Sequence, residues 1–134
     1  MTKTETVVRS IFGVSKSNIR PLVYAVDIAI DLMFIQGIPM DDIYVTDDIY
    51  PEVSKNFRKR SGESCSTKTV TRQIERLSNL CWDILVDRDL VLKYIGAPIR
   101  DIRAPRDIIF YLAFYIYFDS PFFAVIQKQP AILF

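Results

Sequence analysis

Ser66-Thr67-Lys68-Thr69-Val70-Thr71-Arg72-Gln73-Ile74-Glu75-Arg76-Leu77-Ser78-Asn79-Leu80-Cys81-Trp82-Asp83-Ile84 places Val70, Ile74, Leu77, Cys81 and Ile84 at steps of 4, 3, 4 and 3. That is the period of one buried face of an α-helix. Ser66 stands where an N-cap is wanted, since its hydroxyl can accept from a backbone N–H that the first turn leaves open. Lys68, Arg72, Glu75, Arg76 and Asn79 fall off the apolar stripe and are available to solvent or a partner. Just upstream, Ile49, Val53 and Phe57 recur at steps of four, which predicts a shorter helix from Thr46 to Phe57. Asp47 and Asp48 sit favourably in its first turn. A polar gap from Arg58 to Cys65, containing Gly62, separates the two helices. A short helix, a turn and a longer amphipathic helix with basic residues near its start is the pattern of a helix-turn-helix, here spanning about 46–85.

Working outward, Val7, Val8, Ile11 and Phe12 have helical spacing and Gly13 follows as a stop, predicting a small helix from Thr6 to Phe12. Ser17 or Asn18 can cap the next helix, Pro21 is tolerated in its first turn, and Leu22 to Ile35 runs to a stop at Gly37. A helix so apolar belongs in the core, with Asp27 and Asp31, four apart, as its solvated edge. Asp87 to Lys93 leads into a short helix ending near Gly96. Residues 97–107 then carry Pro98 and Pro105 with Arg100, Arg103 and Arg106, a basic loop of the kind that lies along a phosphate backbone. Ile108 to Phe118 is an unbroken apolar run of eleven residues. Extended to Ile126 it approaches membrane-spanning length, but Asp119 and Pro121 would then lie inside the span. The expectation is therefore a buried or interface helix from Pro105 to Tyr117, with the apolar tail from Phe122 to Phe134 covering it or packing on another subunit.

A chain of 134 residues is enough for one domain with a moderate core, and no second domain fits. The absence of histidine removes the commonest general base and the commonest metal ligand. With only Cys65 and Cys81 as thiols, neither a metal site nor a cofactor is expected, and no catalytic residues suggest themselves. Two cysteines and no secretory leader point to a cytoplasm, although two thiols could also form one disulfide. The four glycines are dispersed, so no phosphate-cradling loop can be written. The net charge of +1 hides a polarised chain. Residues 20–54 hold one Arg against seven acids, whereas residues 55–76 hold seven basic residues against two acids.

These residues resemble the C-terminal DNA-binding effector domain of the sporulation-initiation response regulators of endospore-forming bacteria. The resemblance starts at Ile11-Phe12-Gly13-Val14 and continues through Ala25 to Ile30. Its most specific element is Ile49-Tyr50-Pro51-Glu52-Val53-Ser54-Lys55, similar to the family's Leu-Tyr-Pro-Asp-Ile-Ala-Lys. Val70-Thr71-Arg72-Gln73-Ile74 with Trp82 downstream is similar to the family's Val-Glu-Arg-Ala-Ile and its Trp, and Ile95-Gly96 and Ala104-Pro105 echo the closing helices. Residues 6–118 are covered. The resemblance implies an all-α fold, a compact bundle of about six helices containing a helix-turn-helix, and sequence-specific binding of double-stranded DNA in transcription regulation.

Carried over position by position, only Arg72 keeps a base-reading residue of that family; Thr69, Thr71 and Glu75 stand where the family has Arg, Glu and Arg. Arg76, one turn after Arg72, shares its face and can partly substitute. The turn is longer by about six residues than the family's and carries Arg58, Lys59 and Arg60, which with Lys55 are expected to attract phosphate, while Lys68 and Thr69 join Arg72 and Arg76 at base edges or phosphates. The family's receiver domain has no counterpart within these 134 residues. A rival expectation is an interaction module that has kept the bundle and lost base reading, using Tyr111, Phe114, Tyr115, Phe118, Phe122 and Phe123 to form a homodimer or to bind a regulator.

Overall fold

Thr2 opens the first helix earlier than the apolar residues alone indicate. Its Oγ1 accepts from the Glu5 N–H at 3.1 Å, so α1 runs Lys3–Phe12 and stops at Gly13, whose φ of 65° suits a residue without Cβ. The computed structural model describes residues 2–13, 18–57 and 66–133. Among them the elements continue as α2 (Arg20–Ile30), α3 (Tyr50–Lys55), α4 (Thr67–Asp87), α5 (Val91–Tyr94), α6 (Arg106–Phe118) and α7 (Phe122–Lys128). A short 3₁₀ turn at Met40–Asp42 precedes α3 and another, Pro130–Leu133, follows α7, and there is no strand among the described residues. The fold is thus an all-α bundle, with seven helices among the described residues where about six were expected, the last formed by the tail.

α2 is the central element because it is apolar nearly all round: Leu22, Ala25, Val26 and Ala29 are fully buried. It packs against α1, α3, α4 and α6, most extensively against α6. Pro21 falls in its first turn, where a missing N–H costs nothing. Past Ile30 it widens into a π turn, Asp31–Ile35, closed by the Gln36 N–H donating to the Asp31 carbonyl at 2.9 Å. A second π turn, Val45–Ile49, leads directly into α3, so the helix expected over Thr46 to Phe57 consists of two unlike turns ending at Lys55.

On α4 the buried stripe is Val70, Ile74, Leu77, Ser78, Cys81 and Leu85. It closes on Leu85, with Ile84 only half-buried, since a helix of 3.6 residues per turn drifts off a strict 4-3-4-3 pattern. Cys81 is buried and unbonded, and burial pushes its thiol up to about 12. Ser78 Oγ is buried with no hydrogen-bond partner among the described residues. Ser78→Ala is therefore expected to stabilise the fold by about 1 kcal/mol, read as a raised midpoint in urea unfolding. A lowered midpoint would show that the hydroxyl has a partner after all.

α6 buries Ile108, Ile109, Phe110, Leu112, Ala113, Phe114 and Ile116. It ends at Asp119, in the left-handed region at φ 55°, and α7 turns back at 68° to it. Phe122 of α7 packs on Tyr111 and Phe114, with ring centroids 5.0 and 4.9 Å away. The start of α7 is pinned by the Phe123 N–H donating to the Ile95 carbonyl at 3.1 Å, while a Cβ on Gly96 would come within 3.0 Å of Pro121. Asp119 pairs with Lys3 of α1, tying the two ends of the chain's helical frame. No single described helix is long and apolar enough to cross a membrane.

Candidate nucleic-acid interface

Ser66 caps α4 as its position demands: its Oγ accepts from the Thr69 N–H at 3.2 Å. The cap fixes where the helix begins and therefore which way each later side chain points. Lys68, Arg72 and Arg76, each four residues after the last, lie exposed along one side of α4. None of the three is in an ion pair among the described residues, so their charge is directed outward.

The other α4 residues singled out by the sequence divide differently. Thr69 is exposed, but its hydroxyl is 2.8 Å from Ser66 Oγ and belongs to the cap. Thr71 and Glu75 follow Lys68 and Arg72 by three residues each, about 60° round the helix, and so border the basic stripe. Thr71 is half-buried, and both residues line a groove with Tyr44, Tyr50 and Arg106. They thus stand between the basic stripe and this groove. Lys55, at the end of α3, is exposed and paired with Glu52 at 2.8 Å. Arg58, Lys59 and Arg60 lie outside the described residues.

α3 and α4 pack against each other and are bridged by Ser54 Oγ and Thr67 Oγ1, 3.3 Å apart. Eleven residues, 56–66, connect them, where the usual helix-turn-helix turn has about 3–4. What the structure establishes is a packed helix pair inside the bundle. In the proline-rich segment, Arg100 and Arg103 are exposed. Arg106 turns inward: it pairs with Asp107 at 3.2 Å, reaches Asp41 at 4.0 Å and lies over the Phe110 ring at 5.0 Å.

Two features escaped the sequence reading. The first is a groove of about 580 Å³ between α2 and α3, where Asp27 and Asp31 meet Asp47, Asp48 and Glu52 over a floor of Tyr24, Ile28 and Leu32. Asp27 accepts from Thr4 Oγ1, and burial raises its pKa against the lowering effect of that hydrogen bond. Asp48 accepts from the Tyr44 N–H at 2.8 Å and Asp31 from Gln36 Nε2 at 2.6 Å. These acids give the molecule a negative side that local charge counting showed only as a run along the chain. No group of three His, Cys, Asp or Glu side chains among the described residues could hold a metal ion.

The second feature concerns the aromatic residues. Phe114 is fully buried and Phe122 is 5% exposed, while Tyr111, Tyr115, Phe118 and Phe123 are half-buried. These rings mostly pack on each other and on Phe34, leaving part of Tyr111, Tyr115, Phe118 and Phe123 at the surface. The exposed apolar side chains near them are Tyr117, stacked on Phe34 at 4.4 Å, and Ile35. Comparison with protein-family models, with curated proteins and with solved structures gives no match to this chain.

Proposed function

We propose that the chain is a sequence-specific, double-stranded-DNA-binding regulator of transcription that works in the cytoplasm, as the effector domains it resembles do. The reading is carried by one observation: Lys68, Arg72 and Arg76 form an exposed basic stripe, in no ion pair among the described residues, on a helix capped at its start and buried on its other side. Such a helix offers a rigid row of donors to a major groove, with Arg72 and Arg76 at base edges and Lys68 on phosphate. Arg58, Lys59, Arg60 and Lys55 add basic charge from the neighbouring sequence. The acidic groove between α2 and α3 would be repelled by phosphate and so helps orient the molecule with α4 toward the duplex. No catalytic step, metal or cofactor enters this reading.

Lys68→Ala tests the phosphate assignment. It is expected to weaken binding to every duplex by a similar factor and to reduce the slope of log K against log salt by about 1. A slope equal to that of the unsubstituted chain would remove Lys68 from the interface.

The rival reading, a dimerising module, loses support from the burial of Phe114 and Phe122. A chain cut at residue 120 would also lose Phe122 and Val125 from its core, so its mass in solution would report damage to the fold along with any loss of an interface.

A further inference from the structure

Val86, near the end of α4, and Leu92, in α5, are 51% and 59% exposed. They do not stand singly. With Val91, Pro98 and Ile99 they line one groove of about 330 Å³ between the end of α4, α5 and the proline-rich segment. Pro98 is exposed as well, while Val91 and Ile99 are half-buried against the core. A lone exposed apolar side chain is ordinary, but five around one groove make a surface that gains by being covered.

The rest of the lining selects what covers it. Asp89 and Arg100 complete the groove; both are exposed, and neither is in an ion pair among the described residues. Ser78 Oγ, the buried side-chain polar atom left without a partner among the described residues, is not in this lining, so no buried polar group is there to orient a small ligand. The surrounding stretch, residues 83–103, carries four acids and four bases, so a strongly acidic or strongly basic partner gains no net attraction. A second copy of the chain fits better, because a two-fold interface sets residue i on j and j on i. One unpaired acid and one unpaired base beside an apolar centre are complementary to themselves under that symmetry. We propose that this surface is a two-fold contact between two copies of the chain. Asp89 of one copy meets Arg100 of the other, twice over, and Val86 and Leu92 of each copy enter the groove of the other. The contact uses neither the Lys68–Arg72–Arg76 stripe nor the rings of α6 and the tail, and it does not depend on DNA recognition.

The test is sedimentation equilibrium of the full chain over a concentration series without DNA. The mass is expected to rise from one chain to two as concentration increases. Leu92→Ser removes an exposed side chain, leaves the core intact and should weaken the dimer about tenfold. Charge reversal supplies the sharper arm. Asp89→Lys and Arg100→Asp each set like charges opposite one another and should each stay monomeric, whereas an equimolar mixture of the two restores both pairs and should associate. Asp89 has a φ of 56°, where Lys costs the fold some stability, so Leu92→Ser and Arg100→Asp carry the test if that variant unfolds in circular dichroism. A mass of one chain at every concentration, a dimer untouched by Leu92→Ser or by Arg100→Asp, or a mixture of folded charge variants no more associated than its components would each overturn the proposal. Because no DNA is present and the basic stripe is unaltered, such a failure would leave the DNA reading untouched.

Discussion

Phe114→Ala is expected to destabilise the fold by about 3–5 kcal/mol, a large share of the total stability of a domain this size. Phe114 is fully buried on α6, and its ring meets Phe34 at 5.3 Å, Phe118 at 5.8 Å and Phe122 at 4.9 Å. These neighbours come from the π turn that follows α2, from α6 itself and from α7, so the cavity left by truncation opens where three segments join. They are large rings held by further contacts, such as Phe34 on Tyr117, and cannot collapse to fill it. Urea unfolding followed by circular dichroism measures the effect, with Phe114→Leu expected to lose much less because most of the volume is kept. A loss below about 1 kcal/mol for the alanine variant would mean that the ring is not a core residue and would reopen the dimer reading.

The second large effect falls on function. Arg72→Ala is expected to weaken binding to the preferred duplex by about 1–3 kcal/mol, roughly 5- to 150-fold, and to relax preference at the bases it contacts. Binding to unrelated sequences should fall much less, and this separates Arg72 from Lys68, whose loss acts on all sequences alike. Arg76 lies one turn further along the same exposed side, so the double variant tests whether the two act as one reading surface. Unsubstituted affinity and unsubstituted sequence preference in Arg72→Ala would take α4 out of the major groove. Circular dichroism should show both variants fully folded, since Arg72 and Arg76 are exposed and contribute nothing to the buried stripe.

The bundle was legible because its longest helices announce themselves through apolar spacing and caps. Ser66 marked the start of α4, and the run from Ile108 marked α6. Reading from apolar residues also set the limits of what could be seen. α1 begins at Lys3 because Thr2 and Glu5 form a polar cap ahead of the first apolar residue, Val7. The π turns at Asp31–Ile35 and Val45–Ile49 leave no mark in composition, since one residue added to a turn changes the direction of the chain and leaves its apolar pattern nearly intact.

The candidate site was harder to read because its determinants are tertiary. Lys68, Arg72 and Arg76 are local neighbours on one helix and could be placed together from their spacing. Thr71 and Glu75 border that stripe, and only the position of α3 and the Val45–Ile49 turn shows that they also line a groove with Tyr50. Asp27 and Asp31 are about twenty residues from Asp47 and Asp48, and only the packing of α2 against α3 brings them into one groove. The aromatic residues of α6 and the tail carry no such local signal. A stretch so rich in rings reads as an interface, and only the packing shows that Phe114 and Phe122 are buried within the chain while Tyr111, Tyr115, Phe118 and Phe123 stay partly exposed.

The most direct test of the account is fluorescence-anisotropy binding of the chain to randomised duplex DNA across a salt series, followed by selection and sequencing of the bound fraction. The account predicts affinity that falls steeply with salt and an enriched motif that Arg72→Ala no longer selects. Absence of binding even at low salt would contradict it.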